Sequence, residues 1–155
     1  MAAHTDNSVT IEAPLDFVWE RMMDIESWPS LFSEYAKAEV LEQEGDTVRF
    51  RLTTHPDPEY DGQVWSWVSE RVADPAAHSS KSRRIETGPF EFMNIEWYFE
   101  EADGGTAMRW VQDFSMKPDA PADDETAEGY MNKNTKEQMG VIKERLEKEA
   151  GDQNG

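Results

Sequence analysis

The sequence predicts an α+β fold in which a curved antiparallel sheet of seven strands wraps around a long C-terminal helix. Two short helices follow the first strand, and an internal cavity lies between sheet and helix. Three features carry that expectation. Residues 35–115 read as six strands divided by turn signals, residues 14–33 carry helical periodicity, and the longest helical stretch comes last. Short connections between successive strands imply antiparallel meanders. Such a sheet cannot bury both faces alone, so the long helix is its cover.

The elements follow in order. Ser8 to Glu12 forms the first strand, with Val9 and Ile11 on one face. Pro14 suits the first turn of a helix, where its missing N–H costs nothing. Leu15, Val18, Met22 and Ile25 then recur at helical spacing. Pro29 interrupts that pattern, and Ser30 to Ser33 forms a second helical turn. Strands are expected at 35–43, 47–55, 60–72, 78–87, 92–101 and 105–115, separated by Gly, Pro and Asp clusters. Acids at Asp123, Asp124 and Glu125 open the long helix, and Lys143, Arg145 and Lys148 lie near its end. Its semi-apolar stripe is Met131, Gln138, Ile142 and Leu146, and Gly151 is expected to stop it. At ~1.5 Å per residue the helix is roughly 40 Å long.

The 155 residues make one domain, 1–155, ending in a polar tail at 152–155. That length suffices for a core and an internal cavity. Thirty-three acids against fifteen Lys and Arg give a formal charge of −18. This excludes nonspecific nucleic-acid binding, which depends on phosphate neutralisation by cations, and argues against anionic membranes. High solubility accounts for most of the acidity. Lys81, Arg83 and Arg84 are therefore conspicuous as the densest basic cluster. With no cysteine there is no disulfide, thiol nucleophile or thiolate metal site. A polar N-terminus without an apolar core, and no run long enough to span a bilayer, predict a soluble cytoplasmic protein.

The most informative segment is Trp65 to Arg71. Alternation places Trp65, Trp67, Ser69 and Arg71 on one face. Two indoles, a hydroxyl and a guanidinium suit the wall of a cavity for a flat, oxygen-rich ligand. The plainer alternative is core indoles with Arg71 at the strand end in solvent. On the next strands, Met93, Ile95, Trp97 and Phe99 share one face, as do Met108, Trp110, Gln112 and Phe114. Such stripes ordinarily mean core. Gln112 and Arg71 shift the balance, because a buried amide or guanidinium needs partners.

Other chemistries find little support. His4, His55 and His78 lack metal-ligand spacing. No phosphate loop or dinucleotide fingerprint is present. Ser69 has no nucleophile-elbow signature, and capping explains Asp123 and Asp124. No metal or cofactor is expected.

The runs Asp24 to Tyr35, Val64 to Arg71, Thr87 to Phe90, Arg109 to Phe114 and Met116-Lys117-Pro118 resemble the single-domain aromatase/cyclases of bacterial type II polyketide synthases. The likeness is greatest to the spore-pigment branch and extends from Thr5 to about Ala150. It implies the START-type helix-grip fold, in agreement with the element order above. It also implies a partner and a reaction. An acyl carrier protein delivers a linear poly-β-ketone on its phosphopantetheine arm, alongside other type II synthase components. The protein folds that chain, directs an aldol closure between carbons nine and fourteen, and assists dehydration to an aromatic ring.

The resemblance assigns catalytic roles to Arg71, Tyr35 and Ser69. Substrate-binding roles fall to Trp28, Phe32, Trp65, Trp67, Arg84, Phe90, Met93, Trp97, Trp110 and Gln112. A fixed guanidinium suits the enolate and alkoxide oxygens of an aldol step, but it cannot be the base. Tyr35 can pass a proton if its phenol is tuned by neighbours. The rival is a carrier or chaperone of the same fold that binds a hydrophobic molecule unchanged. A protein-interaction module using the acidic surface leaves the indole row unexplained. The acidic chain repels an acidic carrier unless a basic patch receives it. Alternation puts Lys81 and Arg83 outside for that role and turns Arg84 toward the pocket or its mouth.

Overall fold

The computed structural model describes residues 3–56, 62 and 64–154. Its strands are β1 (Ala3–Ile11), β2 (Tyr35–Glu44), β3 (Thr47–Thr54), β4 (Ser66–Asp74), β5 (Ser79–Arg84), β6 (Phe90–Ala102) and β7 (Gly105–Met116). The helices are α1 (Leu15–Met23), α2 (Trp28–Leu31) and α3 (Asp124–Asn154), with a 3-10 turn at Ile25–Ser27. All seven strands form one antiparallel sheet in the order β1-β7-β6-β5-β4-β3-β2. This is the architecture expected from the sequence.

The element boundaries differ where local chemistry overrides pattern. β1 starts five residues before the expected Ser8, because Thr5 and Asn7 face inward and disguise the alternation. Their polar atoms are satisfied there: Thr5 Oγ1 donates to Gln112 Oε1 at 2.6 Å, and Asn7 Nδ2 donates to Asn132 Oδ1 at 2.8 Å. Pro29 does not interrupt a helix. It lies in the first turn of α2, where a proline fits. Gly151 does not end α3, which continues to Asn154. A helical glycine costs only about 1 kcal/mol, too little to stop a helix by itself. Of the expected strand 60–72, residues 60, 61 and 63 lie outside the described residues, and β4 begins at Ser66.

Helix α3 crosses the concave face with Ala127, Thr135, Gln138, Met139, Ile142, Leu146 and Ala150 buried. The spacing of three to four residues defines one helix face. Met131 is half-buried on the same face. Opposite them, Ile11, Phe50, Phe99, Met108 and Phe114 form the floor of the core. No helix among the described residues is long and apolar enough to cross a membrane.

The first residue of β7 leaves no room for a side chain: a Cβ at Gly105 would stand 2.3 Å from the Ile11 carbonyl oxygen. That contact lies where β1 pairs with β7. Gly105→Ala is expected to cost on the order of 2 kcal/mol or more, because backbone must shift to admit the methyl. A thermal melt unchanged from the parent would disprove that reading.

Candidate active site

Strand register assembles the candidate residues into rows across the concave face. Arg71 on β4 pairs with Ser82 on β5, Ser82 with Ile95 on β6, and Ile95 with Gln112 on β7. A parallel row runs Trp110, Trp97, Ser80, and a third joins Arg84 to Ser69. Ser69, Arg71, Ser80 and Gln112 are all buried. The expected strand row therefore tapers inward: Trp65 and Trp67 are half-buried, while Ser69 and Arg71 are enclosed. The alternative with Arg71 in solvent is excluded, since Arg71 is 5% exposed.

The rings of the sequence-derived set meet one another. Trp97 and Trp110 form a cross-strand stack with centroids 4.9 Å apart and planes 11° from parallel. Phe32 stacks on Trp110 at 5.8 Å, and Trp28 touches Phe32, Phe50 and Trp97, each at 5.4 Å. Tyr35 stacks on Trp28 at 6.3 Å and meets the edge of Trp67 at 6.1 Å. These rings occupy the interior that the sequence marks as a cavity. A register shift between Phe90 and Phe92 lets both Phe90 and Met93 point inward, which strict alternation forbids. The surface hollows of about 470 and 300 Å³ lie elsewhere, by Pro14 and Gly104 and on the outer face by Lys81 and Glu96.

Arg71 is held by the end of a helix. Its Nη1 donates to the Met23 carbonyl at 3.1 Å, the last residue of α1. Trp28 Nε1 donates to the neighbouring Met22 carbonyl at 2.9 Å. Helix C-terminal carbonyls carry partial negative charge, so they favour a guanidinium there. Burial pushes the Arg71 pKa down to about 10, which leaves it protonated at neutral pH. Its Nε finds no hydrogen-bond partner among the described residues, and neither do the indole N–H groups of Trp97 and Trp110. All three are donors.

A second polar group forms nearer the Trp67 end, about 13 Å along β4 from Arg71 at ~3.3 Å per residue. The Arg84 guanidinium lies 4.1 Å from the Trp67 ring centre and 4.8 Å from that of Phe90. Burial lowers its pKa to about 10, opposed by the charges of Tyr35 and Glu34. Burial pushes the Tyr35 phenol well above its ordinary value, with Glu34 adding to the rise and Arg84 countering it. The charges that act on Tyr35 are those of Glu34 and Arg84, whereas the Arg71 hydrogen bond runs to Met23.

Gln112 is less versatile than its side chain allows. Its Oε1 accepts from Thr5 Oγ1 at 2.6 Å and from Thr135 Oγ1 at 3.0 Å, so the amide keeps donors rather than acceptors to offer. Sequence reasoning missed Thr5, Thr135, Ser80, Ser82, Glu34 and Asn134. Alternation back from Arg84 signals Ser82 and Ser80. Glu34 precedes its strand and has no periodic signal. Lys81 and Arg83 do lie on the outer face, 77% and 61% exposed, near Glu96 at 3.9 Å and Glu70 at 3.2 Å respectively.

Sequence comparison decides the family. A family described as "Polyketide cyclase / dehydrase and lipid transport" matches residues 2–147. The chain belongs to this polyketide cyclase/dehydrase family. A Streptomyces cyaneus protein named "putative polyketide cyclase" is 56% identical over 147 residues, covering 95% of each chain. The granaticin polyketide synthase bifunctional cyclase/dehydratase of Streptomyces violaceoruber is 27% identical over 140 residues, covering 89% of this chain and 42% of that protein. The crystal structure of the Zhui aromatase/cyclase from Streptomyces sp. R1128 superposes with a TM-score of 0.80 at 23% identity, covering 97% of this chain and 94% of that one. That structural likeness establishes the shared fold of this cyclase-family chain.

Proposed function

We propose that this family member is a polyketide aromatase/cyclase. It takes a linear poly-β-ketone from an acyl carrier protein and directs the aldol closure of the first ring, between carbons nine and fourteen, followed by dehydration. The observation that carries this reading is the unpartnered donor set, Arg71 Nε, Trp97 Nε1 and Trp110 Nε1, inside a wall of rings. Buried donors without acceptors cost about 1–3 kcal/mol each. A chain of ketone oxygens supplies acceptors at intervals and leaves flat apolar surface for the indoles. A purely apolar cargo leaves every one of those donors unsatisfied, which disfavours the passive carrier.

In this reading Arg71 stabilises the enolate and then the alkoxide, Tyr35 relays a proton, and Ser69 orients a carbonyl. Trp28, Phe32, Trp65, Trp67, Phe90, Met93, Trp97, Trp110 and Gln112 hold the chain, and Arg84 stands toward the entrance. The methylenes between ketones are already acidic, so choosing one register is a large part of the task. Reconstitution with a ketosynthase pair and a loaded carrier tests this. The first ring should close at carbons nine and fourteen, and a product mixture identical to that of the protein-free reaction would refute the enzyme.

Carrier docking at Lys81 and Arg83 belongs to the same proposal. Both already face glutamates, so their attraction for an acidic partner is partly offset. Charge reversal at the two positions is expected to slow association with the carrier, an effect fading at high salt. Turnover of a carrier-free substrate mimic should not change. Equal responses from both substrates, or none from either, would reduce the patch to ordinary surface.

A further inference from the structure

Gln112 stands between the two apolar clusters of the interior. On the inward face of β7 it follows Trp110, which packs with the group of Trp28, Phe32 and Trp97, and precedes Phe114, which packs with Phe90 and Met93. Its amide is fastened at one atom from two elements. Thr5, its register partner on the edge strand β1, and Thr135 on α3 both donate to Oε1, at 2.6 and 3.0 Å. All three side chains are buried, none more than 5% exposed, so bulk water does not compete for that oxygen. Two donors on one oxygen fix which end of the amide is which. The NH2 end is thereby turned away from both hydroxyls and keeps its hydrogens for an acceptor. Through Ile95 and Ser82 the same row across the sheet ends at Arg71, three strand spacings or about 14 Å away.

We propose that Thr5 and Thr135 are positioning residues, which hold Gln112 as a second fixed donor that, together with Arg71, sets the register of the bound chain. The inference rests on the cyclase reading above. A poly-β-ketone repeats at every second carbon, so flat rings hold it equally well after a slip of one unit. One donor pins one oxygen and leaves the fold of the remainder free. Two donors at a fixed separation accept only a chain whose loop between two ketone oxygens fits that span. Where the donors stand then decides which methylene meets which ketone. Without the two hydroxyls the Gln112 amide is free to turn, and an inward-turned carbonyl repels a ketone oxygen instead of binding it.

The test compares, by calorimetry, saturated linear diketones of increasing carbonyl separation, each against the monoketone of equal length. In the parent one separation should bind best, about fivefold tighter than its monoketone, the usual worth of one added hydrogen bond. Thr5→Val combined with Thr135→Val keeps side-chain shape and should bring that ratio close to one, with each single variant between. Thr5→Ser combined with Thr135→Ser should restore it, and Arg71→Met should abolish it. A merely structural role would weaken diketone and monoketone alike and leave their ratio unmoved. On a carrier-free poly-β-ketone mimic, the valine pair should spread closure over several ring positions, whereas the serine pair keeps that of the parent. Gln112→Met should match the valine pair, and combining the two should add nothing. No preferred separation in the parent, or a preference that the valine pair retains, would overturn the inference even where ring closure stays at one position. A preference that the valine pair abolishes, in a protein that closes no ring, keeps the paired anchor and refutes the cyclase reading.

Discussion

Replacing Arg71 with alanine should cut formation of the correctly closed ring by about 10²–10³, the usual loss when one fixed transition-state donor is removed. The fold should survive. Arg71 is buried with one hydrogen bond to the Met23 carbonyl and an Nε lacking any partner among the described residues. A charge so incompletely satisfied contributes little to stability. Arg71→Met should therefore be at least as stable as the parent while equally inactive, a combination that a structural arginine would not show. Arg71→Lys should recover activity only in part, because an ammonium lacks the planar fork. Parent-like rate and ring position in Arg71→Ala would favour the passive carrier.

Trp28→Ala should have the largest effect on stability. This indole touches Phe32, Tyr35, Phe50 and Trp97, and its N–H caps the Met22 carbonyl. Truncating a core tryptophan costs about 3–5 kcal/mol, which for a domain of this size lowers Tm by roughly 10 °C. The loss reaches the site as well, because Trp28 and Arg71 bind successive carbonyls at the end of α1. Calorimetry on Trp28→Ala and Arg71→Ala separates the two roles. Equal melting temperatures in both variants would show that the ring array does not support the fold.

The sheet was legible because its strands alternate and its turns are marked by Gly, Pro and Asp. The row from Trp65 to Arg71 was legible for the same reason, as was the opposite orientation of Arg83 and Arg84 on β5. Thr5 and Asn7 were not legible. They are inward-facing polar residues whose partners, Gln112 and Asn132, lie more than a hundred positions away. Phe90 and Met93 defeat a period-two reading because a bulge changes the count between them. Glu34 had no local signal either, since its side-chain hydrogen bond comes from Asn134 on another element. Packing between elements is what a single sequence conceals.

An interior furnished with donors also treats product and substrate unequally. Each ketone oxygen only accepts, which suits Arg71, Trp97 and Trp110. Aromatisation turns such oxygens into phenols, and each phenol brings a hydrogen that needs an acceptor of its own. The Gln112 carbonyl is a natural one, but Thr5 and Thr135 already occupy it. A buried hydroxyl left unpaired costs about 1–3 kcal/mol, enough to weaken retention of the product roughly tenfold or more. On the cyclase reading, the chemistry that finishes the ring thus loosens the wall's hold on it, and turnover needs no separate device to expel the product.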